Sequence, residues 1–179
     1  MTNSEWQEKF LQAVADSCDE GREAADYIRA HKTKVGIRRA RKSVGAFWTL
    51  FKSAHLNARH YTRESSLVSP RAWTLLIHEV RHLQQGFFTA LSIYGELDAW
   101  QYEWQVLKKL SGEQLTPLQE EILSLPLNMD RDNLQRARQL MTQYAGKSYG
   151  ANWLPLYPIH REVKYWLTRK FNLRDFFQN

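Results

Sequence analysis

The stretch Ser69-Pro70-Arg71-Ala72-Trp73-Thr74-Leu75-Leu76-Ile77-His78-Glu79-Val80-Arg81-His82-Leu83-Gln84-Gln85-Gly86 decides how this chain is read. It opens on a helix start signal, a capping serine followed by proline, whose missing N–H costs nothing in the first turn. It closes on Gly86, a residue suited to ending a helix. Trp73, Leu76, Ile77, Val80, Leu83 and Phe87 recur at the spacing of one helical face. His78 and His82 fall on the opposite side, with Leu75 and Gln85 nearby and Glu79 at the edge of that face. The helix is therefore expected to bury its apolar stripe in a core and present both imidazoles elsewhere.

Residues four apart share a helical face, so the H-E-x-x-H pattern of His78, Glu79 and His82 lets two imidazoles reach one ion. A glutamate beside the first histidine can take a proton from water. Zinc needs neutral imidazole nitrogens, a third protein ligand and an open position for catalysis. Glu96, Asp98, Glu103 and His160 are the downstream candidates for that ligand. The next helix, about 92 to 110, carries the stripe Ile93, Leu97, Trp100, Trp104 and Leu107. Glu96 borders this stripe and Asp98 points nearly the other way, so Glu96 is the expected third ligand. Glu103 lies two turns on and is expected to accept an N–H from a ligating histidine. The competing readings are two histidines on the surface or hydrogen-bonded under another segment, and Glu96 as a helix-start carboxylate favoured by the macrodipole.

Outward from this stretch the expected fold is α+β and mainly helical. One helix is predicted from about Ser4 to Ala30, with Ser4 and Gln7 as its capping box and Gly21 as a break. A small antiparallel sheet of about three short strands follows: around Val35 and Ile37, through the run Ala46 to Phe51, and from Leu56 to His60. After the H-E-x-x-H and ligand helices come a short helix starting at Thr116-Pro117, another from Asp130 to Ala145, an aromatic loop from Gly150 to Pro158, and a last helix to about Lys170. The whole chain, 1–179, is read as a single domain with its core at about 34–110 and a C-terminal helical part at about 111–179.

Composition narrows the classes. With 179 residues, 43% hydrophobic and 25% charged, the chain can bury a core, which excludes disorder and collagen-like structure. A single cysteine, Cys18, permits no intramolecular disulfide and has no His or Cys partner nearby in sequence, so it is read as inert. The start MTNSEWQEKF lacks the basic and apolar regions of a signal peptide, and no apolar run is long enough to span a bilayer. A cytoplasmic location is therefore expected. The net charge is +6, and Arg29, Lys32, Lys34, Arg38, Arg39, Arg41 and Lys42 crowd one stretch. That stretch is either a solvated edge or a footprint for nucleic acid or acidic peptides. There is no phosphate-cradling glycine loop and no dinucleotide fingerprint.

The H-E-x-x-H helix followed by Glu96-Leu97-Asp98-Ala99 resembles the zincin metallopeptidases, most closely the gluzincins, and the order of long helix, small sheet and H-E-x-x-H helix resembles their smallest members. The likeness covers roughly Lys34 to Leu110, and where such families commonly carry an acidic residue four positions after the ligand glutamate, this chain has Trp100. The resemblance implies a zincin-like fold, with His78, His82 and Glu96 as zinc ligands, Glu79 as catalytic base, and a peptide or protein as substrate. Peptide hydrolysis also needs a donor for the developing oxyanion, and His60, Tyr61, Tyr149, Tyr157, His160 and Arg161 are candidates. The strand around Leu56-Asn57-Ala58 resembles the edge strand on which zincins lay an extended substrate. Two other functions fit the same residues: an inactive zincin-like binding protein, and a basic adaptor contacting nucleic acid.

Overall fold

The computed structural model describes residues 1–49, 53–112, 114–164, 166 and 167. Leu50, Phe51 and Lys170, which the sequence assigns to a strand and to the last helix, lie outside them. The described chain is mainly helical with one small sheet, an α+β arrangement.

The N-terminal segment forms two helices, α1 (Asn3–Ser17) and α2 (Asp19–Ala30), and not one. Its capping box is Thr2 with Glu5, two residues before the expected pair. The break is at Cys18, whose extended backbone ends α1 and whose Sγ accepts the Gly21 N–H at 3.3 Å. Gly21 lies inside α2, where α1 crosses it: a Cβ there would sit 2.1 Å from the Val14 carbonyl oxygen.

Three strands follow, β1 (Lys34–Arg38), β2 (Ala46–Thr49) and β3 (Ser53–Asn57). Their order is β1-β3-β2, and the sheet is mixed: β1 runs parallel to β3 while β2 runs antiparallel to it. The expected all-antiparallel sheet is corrected on this point. The expected substrate edge at Leu56-Asn57-Ala58 is corrected as well, because β3 is the central strand. The edges are β1, carrying basic residues as expected, and β2. Gln7 of α1 pins the β1 edge, accepting the Val35 N–H at 3.0 Å and donating to the Thr33 carbonyl at 3.3 Å.

Beyond the sheet come the short α3 (Arg63–Ser66), the long α4 (Pro70–Gln85), the short α5 (Phe87–Ala90) and α6 (Ile93–Ser111). Then come α7 (Pro117–Ser124) and α8 (Arg131–Ala145). Helix α4 starts and stops where its punctuation says. Ser69 caps its N-terminus with proline at the first position, and Gly86 leaves the helix at φ 76°. Thr116 with Gln119 caps α7, Asp130 caps α8, and Gly146 ends α8. Two 3-10 turns (Lys147–Tyr149 and Ala151–Trp153) and helical residues 159–164, 166 and 167 complete the described chain.

Two apolar clusters organise these elements. The first joins α1, α2, the sheet and α4, through residues such as Trp6, Phe10, Ile28, Leu56, Leu76, Ile77 and Val80. The second joins α6, α7, α8 and the 3-10 turns, through Leu97, Trp100, Trp104, Leu134 and Met141. It therefore crosses the boundary near residue 110 that the sequence suggested. Helix α6 also sends Val106 into the first cluster, so α4 and α6 meet along the seam between the two. Among the described residues, no helix is long and apolar enough to cross a membrane.

Candidate metal centre

His78, Glu79 and His82 project from the side of α4 away from its apolar stripe, toward α6. They are not surface residues: their exposures are 5%, 4% and 2%. What covers them is α6, approached by a tight connection through α5. Gly95, in the first turn of α6, makes that approach feasible, since a Cβ there would lie 2.1 Å from the Thr89 carbonyl oxygen. The next residue, Glu96, is carried toward α4.

The ring nitrogens then converge. His78 Nε2 and His82 Nε2 are 3.0 Å apart. Glu96 Oε1 is 3.7 Å from His82 Nε2. One ligand atom from each of His78, His82 and Glu96 falls within 4.8 Å of the others, a grouping that could hold a metal ion.

The outer nitrogens fix what the inner ones can do. Glu103 Oε2 lies 2.9 Å from His78 Nδ1. The approach is bent away from an ideal hydrogen-bond line, so charge more than directionality holds a proton on Nδ1. Glu103 Oε1 faces Arg71 at 2.9 Å. On the other ring, His82 Nδ1 is 3.2 Å from Gln85 Oε1. Gln85 donates through Nε2 to the Gly95 carbonyl at 2.9 Å and to Asp98 Oδ2 at 2.7 Å, which leaves Oε1 as the acceptor for a His82 Nδ1–H. With both Nδ1 protons claimed, both Nε2 atoms of the neutral rings carry lone pairs directed into the same space. Two facing lone pairs at that distance repel unless a proton or a metal cation lies between them. The donor set of two imidazoles and a carboxylate suits zinc.

The remaining oxygen of Glu96 accepts a hydrogen bond from the Tyr149 hydroxyl at 2.6 Å, and Trp100 Nε1 donates to that hydroxyl at 3.0 Å. Burial and the neighbouring Glu96 charge hold the Tyr149 hydroxyl well above the usual phenol range, so it remains a donor. Asp98 does not point away as the helical wheel implied. It faces α4 and takes a bidentate pair from Arg81 at 2.8 and 3.0 Å. The wheel treats α6 as isolated, whereas α4 lies along enough of its circumference to meet both carboxylates. Asp98 supports His82 through Gln85 and is not among the three converging groups.

Glu79 faces a cleft. Its carboxyl group lies near the Trp48 backbone on β2, and its Oε2 is buried without a partner. Burial raises this carboxyl to about 8. For His78, burial pulls the pKa down, but the Glu103 contact, with Glu79 and Glu96, outweighs it and carries the ring up to about 9. Burial pulls His82 down to about 4 against the opposing Glu96 charge.

Two cavities meet at these groups. One, of about 220 Å³, is lined by Phe47, Trp48, Glu79, His82, Glu96 and Tyr149. The other, of about 150 Å³, lies behind His78 and is lined by Tyr61, Arg71, Glu103, Trp100, Trp104 and Tyr149. Of the candidate oxyanion donors, Tyr149 borders both cavities and Tyr61 borders the inner one. His60 is exposed and contacts the Lys42 carbonyl at 2.8 Å. His160 and Arg161 are exposed, and Tyr157 packs against the second apolar cluster. The structure does not bring Tyr157 or His160 to the histidines, because the aromatic loop places Tyr149 and Gly150 over the cleft and carries later residues past it. Sequence reading missed Gln85 and Arg71 as supports; Gln85 was visible one turn after His82 on the same face.

No protein-family model, curated protein or solved structure matches this chain.

Proposed function

We propose that the protein is a zinc-dependent peptidase in which His78, His82 and Glu96 hold the ion and Glu79 is the general base. One observation carries the reading. Two buried Nε2 atoms converge to 3.0 Å, and an acceptor stands at the other nitrogen of each ring. A second supports it: the buried, unpartnered Glu79 Oε2 borders the same cleft. When bound, zinc would supply Lewis acidity toward a peptide carbonyl and toward water.

The chain's own groups do the rest. Glu79 takes the proton of the attacking water and returns it to the leaving amine. Burial raises this carboxyl to about 8 in the metal-free protein, and a bound dication would bring it down toward the ionised form that accepts a proton. Tyr149 spends its single hydroxyl proton on Glu96 and stands at the cleft, where turning that O–H away from Glu96 would let it donate to a developing oxyanion. β2, an edge strand beside His82 and Glu79, offers backbone groups to an extended polypeptide. The reading keeps the cytoplasmic location expected from the sequence, with Cys18 a free thiol.

The test compares the wild type with Glu79→Gln on an unstructured protein substrate, with zinc content measured in both. The reading expects equal zinc and cleavage by the wild type alone. Equal cleavage by both proteins, or none by a zinc-loaded wild type, would contradict it.

A further inference from the structure

The basic stretch seen in the sequence divides in the folded chain. Arg29 is paired with Glu8 at 2.6 Å and with Asp26 at 3.6 Å. Arg38, Arg39, Arg41 and Lys42 are exposed, as is Arg59, which comes from beyond β3. Among the described residues, none of these five pairs with a carboxylate.

The loop that carries them is built. Asn57, at 0% exposure, donates through Nδ2 to the carbonyls of Arg41 at 2.8 Å and Val44 at 2.6 Å. Its Oδ1 accepts the backbone N–H groups of Ala40 and Arg59, each at 3.1 Å. Arg59 Nε donates to the Ala40 carbonyl at 2.9 Å. One buried amide therefore sets the positions of charges from two separate segments. Such pre-organisation lowers the cost of binding an opposite charge.

The charged face is also continuous with the metal cleft. Arg38, Arg39 and Arg41 line a surface groove of about 430 Å³ whose other walls include Val44 and Phe47. Val44 and Phe47 also line the cavity at His82 and Glu96. Arg39 further borders a second groove with Lys42, Arg59 and His60. On the far bank, Ser148 joins the loop through its carbonyl to Arg41 at 3.4 Å and its hydroxyl to Ser43 at 3.1 Å, next to Tyr149.

We infer that this face binds an acidic segment of the polypeptide substrate, flanking the bond presented to Glu79. The inference rests on the peptidase reading, which makes the occupant of the adjoining cleft a polypeptide. Charge complementarity and the shared walls of groove and cleft make its flank acidic. A substrate lying along β2 toward Val44 passes onto the arginines without leaving the surface.

The experiment uses the full chain carrying Glu79→Gln and loaded with zinc, so that peptide is bound and not consumed. Fluorescence anisotropy compares an unstructured peptide bearing a run of glutamates with the same peptide bearing glutamines. The expected result is tighter binding of the glutamate peptide, weakened by salt and about tenfold weaker after Arg39→Gln, Arg41→Gln and Lys42→Gln are combined, as several exposed charge contacts would produce together. Lys32→Gln with Lys34→Gln, at the far end of β1, serves as the control and leaves affinity unchanged. Equal binding of the two peptides, or equal loss in the control, overturns the inference. So does a single-stranded oligonucleotide of equal charge that binds the same arginines more tightly than the peptide. Cleavage plays no part in this readout. Its failure leaves the peptidase reading standing, and failure of cleavage leaves this result standing.

Discussion

His78 and His82 face each other across 3.0 Å with their Nε2 atoms, close enough to share one proton or one metal ion. On the other side of each ring, Glu103 stands at His78 Nδ1 and Gln85 at His82 Nδ1. The H-E-x-x-H spacing brings the rings together, and residues outside the motif decide which nitrogens are free.

Glu103→Gln should therefore weaken zinc binding without removing a ligand. Outer-shell partners of ligating histidines are typically worth 10–100-fold in metal affinity, and a loss of about that size is expected here. Competition with a chromophoric chelator measures it. Arg71, 2.9 Å from Glu103, keeps that carboxylate oriented, so Arg71→Ala should shift affinity in the same direction and by less.

Tyr149→Phe removes the 2.6 Å hydrogen bond to Glu96 and leaves the ring packed beside Trp100. Zinc affinity should fall by no more than about tenfold, whereas cleavage should fall by about 100-fold, the scale of losing one oxyanion donor. Parallel losses in both would reduce Tyr149 to a support for Glu96.

Metal-free protein should lose stability as pH rises from 6.5 to 8. Burial holds the Glu79 carboxyl up at about 8 against an ordinary 4.5, so the stability from its neutral form is present at low pH and disappears as pH climbs through 8. In His78, burial opposes the carboxylates but is outweighed, and the ring sits at about 9. Its contribution is complete below 6.5 and is lost on the way up to 9. His82, pushed down to about 4 by burial, works only on the acid side: its contribution is present above 6.5 and fades as pH falls toward 4. Thermal unfolding in chelator should show the decline between 6.5 and 8. Glu79→Gln should leave only the His78 part of it, and zinc should abolish it.

Asn57→Ala should cost about 2–4 kcal/mol, because it strips partners from two backbone carbonyls and two N–H groups around a fully buried site. Denaturant unfolding checks the value. Zinc content should be unchanged, since Asn57 lies on β3 and touches none of the three ligands.

Much of this is legible in the amino-acid sequence. Ser69-Pro70 and Gly86 bounded α4 to the residue, and the stripe on α6 singled out Glu96 and Glu103. The parallel pairing of β1 with β3 was not legible, because β2 lies between them in sequence and alternation of side chains is the same in either direction. The capping box missed by two residues because Thr2-x-x-Glu5 and Ser4-x-x-Gln7 carry the same chemical signal. Asn57 looked like one polar position in an alternating strand, and only the folded loop reveals its four partners. Tyr149 stands among six candidate donors in the sequence with no periodic pattern to single it out, because it sits in a 3-10 turn whose placement depends on the second apolar cluster. Asp98 was misjudged because a helical wheel has no neighbours.

The most direct test of the central claim is metal content. Protein stripped with chelator and titrated with zinc at neutral pH should take up one equivalent, while His82→Ala, still folded by circular dichroism, should take up none at the same concentration. A folded wild type that takes up no zinc, or a His82→Ala variant that binds as tightly as the wild type, would contradict a cation gripped between these two rings and Glu96.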